Sequence, residues 1–148
     1  MEKFYRIPKM DIQLLREGSL KADRQYVRKP NDAYEVLKGY FTGKTQEHFL
    51  ILMLNTKNRI VGVSTVSVGT VDSALVAPRD VFVRALSSGC TSILIAHNHP
   101  SGESTPSKED IALTHRLTEA GKLLQIPVLD HVVIGDDEYT SLKEQGII

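Results

Sequence analysis

The chain has 148 residues, of which 41% are hydrophobic and 24% are charged, and this is the size and composition of one globular domain. Its single cysteine excludes an internal disulfide framework and any zinc module that needs two or more cysteines. The longest apolar run, residues 49–54, is far too short to span a bilayer, and the N-terminus lacks a secretory core, so we expect a cytoplasmic protein without a membrane partner.

The 18 basic and 18 acidic residues cancel, but they are unevenly distributed. Residues 1–30 hold eight Lys or Arg against four Asp or Glu, and the other 118 residues carry a net charge of −4. A basic segment can contact nucleic acid or an acidic partner. We favour a solvated extension, because its basic and acidic residues are interspersed and aromatic residues do not alternate regularly with the charges. We therefore treat residues 1–30 as an N-terminal extension of a domain over residues 31–148.

Within the extension, the loose apolar pattern of residues 8–17 predicts an edge strand, followed by a polar connection up to Pro30. A helix should begin near Asn31 or Asp32, both good N-caps, and end at Gly43. The helical spacing predicts one buried face, made of Ala33, Val36, Leu37, Tyr40 and Phe41. The run over residues 48–54 is so uniformly apolar that it predicts a central strand covered on both faces.

The remaining chain alternates strand and helix patterns. The predicted elements are a hairpin strand over 59–70, a helix over 78–86, a strand over 92–96, a loop over 97–106, a helix over about 107–125, a strand over 127–135 and a short terminal element over 138–148. Alternation after a hairpin predicts an α/β fold, with a mixed sheet between helices on both faces.

The sequence His97-Asn98-His99-Pro100 follows a predicted buried strand and contains two candidate metal ligands. Residues two apart in an extended backbone point to the same face, so both imidazoles can converge on one metal ion. Asp110 lies in the first turn of the next helix and can supply a third ligand. Two histidines and one carboxylate leave a fourth position open for water, which is typical of a catalytic zinc site.

A structural interpretation of the same residues stays open. Ser107 and Asp110 have the spacing of a helix-capping box, in which each residue bonds the backbone of the other. The two interpretations compete, because an Asp110 that binds metal could return little to the backbone of Ser107.

Together the pieces resemble the JAMM motif of the JAB/MPN metalloprotease superfamily, in which an upstream Glu precedes His-x-His-Pro, seven intervening residues and Ser-x-x-Asp. Here residues 100–106 are the seven. The wider context is similar to the RadC-like branch over residues 30–148, in the segments Ala96-His-Asn-His-Pro-Ser-Gly102, Ser107-x-x-Asp110-Ile-Ala-Leu-Thr114 and Leu129-Asp-His-Val-Val-Ile-Gly135. Asn98 stands where JAMM peptidases commonly have Ser or Thr.

The resemblance implies a function and a role for each matching residue. His97, His99 and Asp110 would bind Zn²⁺, Glu47 would be the general base, and Ser107 would stabilise the tetrahedral intermediate. The implied fold is a three-layer α/β/α sandwich of the cytidine-deaminase-like type. The implied protein is a zinc-dependent hydrolase, a metallopeptidase or isopeptidase acting on a peptide or protein substrate. The RadC label also suggests an alternative, a DNA-associated repair or recombination protein with or without catalysis.

The other three histidines and the single cysteine lie outside this motif. His131 could support the site from behind or be an ordinary core histidine. Cys90 is better explained as a small buried hydrophobe than as a nucleophile. His48 and His115 receive no role. The zinc deaminases, which share the implied fold, are excluded because one cysteine cannot supply their Pro-Cys-x-x-Cys ligands.

Overall fold

A five-stranded mixed sheet lies at the centre of the fold, in a computed structural model that describes residues 1–69 and 76–148. The strand order is β2-β1-β3-β4-β5, and β3 and β4 are the parallel pair. The elements in chain order are α1 (Pro30–Phe41), β1 (Glu47–Leu54), β2 (Ile60–Gly69), α2 (Pro78–Ser88), β3 (Ser92–Asn98), α3 (Lys108–Leu124), β4 (Val128–Ile134) and β5 (Tyr139–Ser141). The predicted α/β class and mixed sheet are confirmed.

The two faces of β1 join the two halves of the core. Phe49, Ile51 and Met53 pack with the apolar residues of α2 and α3, and the alternate residues of β1 pack with those of α1. This alternation is the period of a strand, and burial of both sets explains the uniformly apolar sequence. The helices therefore cover both faces of the sheet, which gives the three layers that the sequence predicts.

Helix α1 begins one residue earlier than predicted. Pro30 occupies its first turn, where a missing N–H costs nothing and the fixed φ of proline suits a helix. Asp32 is not the N-cap but the third helical residue, and its Oδ2 accepts the backbone N–H groups of Arg28 and Lys29 at 2.9 and 3.2 Å. Of the predicted buried face, only Tyr40 remains partly exposed.

The edge strand predicted over residues 8–17 is wrong. No residue before Tyr26 belongs to a helix or strand, and residues 1–19 are all exposed. The one backbone bridge of this segment is an isolated antiparallel bridge between Tyr26 and Arg59, just before β2, within residues 1–29, all of which the structure describes. A short apolar alternation does not make a strand when no neighbouring strand accepts its backbone hydrogen bonds. The end of the predicted hairpin strand, Thr70, lies outside the described residues.

The other predicted elements form, with one shift that matters. Strand β3 continues to Asn98, so His97 and Asn98 are strand residues and the loop begins at His99. No helix among the described residues is long and apolar enough to cross a membrane.

Truncation tests the corrected N-terminus. Deleting residues 1–18 should change the free energy of unfolding by less than about 0.5 kcal/mol, because those side chains are exposed. Deleting residues 1–28 should cost about 2 kcal/mol or more, because it removes buried Val27 and the two backbone hydrogen bonds that flank the Tyr26 bridge. Denaturant unfolding measures both, and a clear loss from the shorter deletion would show that residues 8–17 pack in solution.

Candidate metal centre

Three side chains converge where β3 ends and α3 begins. His97 Nε2 lies 3.0 Å from His99 Nε2 and 3.2 Å from Asp110 Oδ1, and His99 Nε2 lies 3.1 Å from Asp110 Oδ2. Tetrahedral zinc with bonds of about 2.0–2.1 Å places neighbouring ligand atoms about 3.3 Å apart. The three separations are close to that value, although they involve both oxygens of Asp110, so this ligand cluster (His97, His99 and Asp110) could hold a metal ion.

The fold holds each member of the ligand cluster differently. His97 is a fully buried residue of β3, and Asp110 is buried in the first turn of α3. His99 lies just past the strand, where its backbone N–H donates to Ile134 O at 2.9 Å, and its side chain is 13% exposed. The loop that begins at His99 packs closely against the end of β4. The carbonyl oxygen of Gly102 lies so near Gly135 that a Cβ there would collide with it, so only glycine fits. The cluster therefore has one side toward solvent.

The capping box and the ligand cluster are both formed, so the two interpretations do not exclude each other in this geometry. Ser107 Oγ accepts the backbone N–H of Asp110 at 3.0 Å, and Asp110 Oδ2 accepts the backbone N–H of Ser107 at 2.8 Å. A carboxylate has two oxygens with several lone pairs, and Oδ1 still faces His97. The cap thus fixes the orientation of the carboxylate, and the Ser107 hydroxyl keeps its own proton for donation.

The tautomer of His99 follows from one hydrogen bond. Its Nδ1 lies 2.8 Å from the carbonyl oxygen of Glu103, and a carbonyl oxygen can only accept. The Nδ1 of His99 therefore carries a proton, and its Nε2 directs a lone pair into the ligand cluster when the ring is neutral. Histidines that bind metals commonly have such a partner on the other ring nitrogen.

The tautomer of His97 is set through two further residues. Thr114 Oγ1 donates its one proton to the backbone carbonyl of Asp110 at 2.6 Å, so it must accept the proton on Nδ1 of His131, also at 2.6 Å. The Nε2 of His131 then accepts from Nδ1 of His97 at 2.7 Å. This chain, which we call the His131 relay (Thr114, His131 and His97), leaves Nε2 of His97 as a lone pair facing Asp110.

A proton on Nε2 of His97 or His99 can bridge to Asp110, and the pKa values of these groups reflect that protonated form of the cluster. Burial acts to raise the pKa of Asp110, but hydrogen bonds from His97, His99 and the Ser107 backbone together lower it well below its usual range. The Asp110 hydrogen bond raises the pKa of His99, and partial burial opposes that shift. Burial lowers the pKa of His131 well below its usual value, which keeps that ring neutral as the relay requires.

Glu47 is the first residue of β1, at the same end of the sheet as the ligand cluster. It lies two residues before Phe49, so the two side chains share a face of the strand. The Phe49 ring stacks on the His97 ring, with centroids 6.1 Å apart. The charge of Glu47 also acts on His99, whose pKa it raises. The structure thus brings Glu47 to the neighbourhood of the two histidines, partly exposed to solvent.

The structure shows the contacts of two residues, His131 and Thr114, whose roles the sequence does not predict. His131 hydrogen-bonds Nδ1 of His97, the ring nitrogen that does not face Asp110. Thr114 was missed, although its position four residues after Asp110 places it on the same helix face. Among the other candidates, Cys90 is buried, with its thiol 3.4 Å from the Ala85 carbonyl, and His115 is exposed on α3.

The fold and the ligand cluster together define a JAB-type domain with a candidate metal centre. The family model for RadC-like JAB domains matches residues 27–147, and the chain belongs to that family. A "UPF0758 protein" of Desulforamulus reducens is 46% identical over 125 residues, which are 84% of this chain and 55% of the relative. One from Bacillus licheniformis is 47% identical over 126 residues, 85% of this chain and 56% of the relative. The chain thus spans about half the length of these curated relatives.

The His131 relay can be tested without any substrate. Thr114→Val keeps the shape of the side chain but removes the hydroxyl that holds His131, so the affinity for Zn²⁺ should fall about 10–100-fold. Thr118→Val is the matched control, because Thr118 also bonds a carbonyl of α3, that of Thr114, one turn further along. Competition with a chelator measures both affinities, and equal affinities would show that the relay does not act on the metal ligands.

Proposed function

We propose that this protein is a zinc-dependent hydrolase of the JAMM type that cleaves peptide or isopeptide bonds. The observation that carries the proposal is the convergence of two imidazole Nε2 atoms and one carboxylate within 3.2 Å of one another, with one side toward solvent. Membership of the RadC-like JAB domain family supports it. Two imidazoles and a carboxylate are a donor set that zinc accepts in catalytic sites.

A zinc ion in such a site polarises a carbonyl group and lowers the pKa of a bound water to about 7. The residues of the chain supply the rest of the chemistry. The carboxylate of Glu47 takes a proton from the attacking water and passes it to the leaving amine. The hydroxyl of Ser107, which accepts from the Asp110 backbone and keeps its proton, donates to the oxyanion of the tetrahedral intermediate.

The alternative, an association with DNA, rests on a different part of the chain. The basic residues Lys3, Arg6, Lys9 and Arg16 are exposed, and they lie outside the segment that matches the family. The ligand cluster supports hydrolysis and adds nothing to a DNA-binding role. The salt dependence of DNA binding, with and without residues 1–18, separates the two proposals.

The central experiment pairs a substrate search with a base variant. The zinc-loaded protein is incubated with a peptide library that includes isopeptide-linked members, and the products are identified by mass spectrometry. On the best-cleaved peptide, Glu47→Gln should lower kcat about 10²–10⁴-fold because the base is lost, while Zn²⁺ stays bound. Glu109→Gln is the control, since this neighbour of Asp110 is exposed.

Two outcomes would count against the proposal. If the zinc-loaded protein cleaves no member of the library, hydrolysis of peptide and isopeptide bonds is contradicted. If it cleaves but Glu47→Gln is as active as the unaltered chain, the base is a different group.

A further inference from the structure

The side chain of Asn98 extends the ladder between β1 and β3 past the point where their backbones stop pairing. The last backbone pair of the two strands is Phe49 with His97. One residue further on, Asn98 Oδ1 accepts the backbone N–H of His48 at 2.6 Å, and Asn98 Nδ2 donates to the backbone carbonyl of Gln46 at 3.0 Å. A side-chain amide has the donor and acceptor of a peptide group, so it can replace one in a ladder.

The replacement occurs where the backbone of β3 has stopped pairing with β1 but continues to pair with β4. Asn98 pairs with Ile134 of β4, and the next N–H, that of His99, donates to Ile134 O. On the β1 side, residues 42–46, which lead into the strand, are all exposed. Asn98 itself is 5% exposed, so its two hydrogen bonds are shielded from competition with water.

The two bonded groups flank Glu47, one on each side along the chain. Glu47 pairs with Gly69 of β2 at the opposite edge of β1. We propose that Asn98 is a positioning residue for Glu47, which it fixes by clamping the carbonyl of Gln46 and the N–H of His48. This inference rests on the proposed function, because it gives Glu47 its direction toward the ligand cluster. One strand residue thus stands between two metal-ligand histidines and aligns the base with them.

The test begins with amide hydrogen exchange, which needs no substrate. In Asn98→Leu the new side chain has a similar volume but forms no hydrogen bonds. Exchange of the His48 N–H should accelerate about 30-fold, because the free energy of two ordinary hydrogen bonds is lost. Asn98→Asp keeps the acceptor and loses the donor, so its effect should be smaller. Thr91→Val is the matched control, because Thr91 Oγ1 bonds Leu54 O across the same strand pair at its other end. Affinity for Zn²⁺ should stay within about 3-fold, since the three ligands are unchanged.

The kinetic test asks whether Asn98 acts through Glu47. On the best-cleaved peptide, Asn98→Leu should lower kcat about 10–100-fold with little change in KM, as expected when a catalytic group is misplaced. Adding Asn98→Leu to Glu47→Gln should cost nothing more, because the group that Asn98 positions is already absent. Additive losses in the double variant, or unchanged exchange at His48, would overturn the inference. If the unaltered protein cleaves no peptide, the proposed function is contradicted, and so is the proposal that Asn98 contributes to catalysis through Glu47. The exchange rate then still decides whether Asn98 holds this segment.

Discussion

A buried carboxylate surrounded by lone pairs is the constraint on which this site depends. Asp110 is nearly inaccessible to solvent, and the Nε2 atoms of two imidazoles lie 3.1–3.2 Å from its oxygens. Neutral imidazoles whose other nitrogens carry the proton present only lone pairs to that carboxylate. Such an arrangement repels itself unless a proton or a cation lies between the groups. A metal ion bound by all three groups would remove this repulsion.

The structure supports that geometry from three directions. The capping box at the start of α3 orients the carboxylate, the loop carbonyl of Glu103 orients His99, and the His131 relay orients His97. The relay ends on the backbone carbonyl of Asp110, so the support of one ligand depends on the position of another. The site is therefore coupled to the packing of α3 against β3 and β4. In the same way, the proposed clamp of Asn98 on the backbone of Gln46 and His48 would orient Glu47, the proposed base.

The features that the sequence predicts correctly are those in which the spacing of residue types along the chain matches their burial in the fold. Residues 49–54 are uniformly apolar because both sheet faces are covered. The spacing of His97, His99 and Asp110, together with its resemblance to the JAMM motif, predicted their convergence. The prediction over residues 8–17 failed because a strand depends on a distant partner, which an apolar pattern does not reveal. The sequence does not predict the contacts of Thr114 and Asn98, because these depend on the directions of hydrogen bonds that form only once the strands and α3 are assembled.

The most direct test of the account is the zinc stoichiometry of the purified protein. After equilibrium dialysis against Zn²⁺ and removal of loosely held metal, elemental analysis should find one zinc ion per chain. Asp110→Asn keeps the size of the side chain and an oxygen that can cap α3, but it removes the anionic ligand, so it should lose that zinc. A metal-replete chain without zinc, or an Asp110→Asn variant that binds it as tightly, would contradict the account.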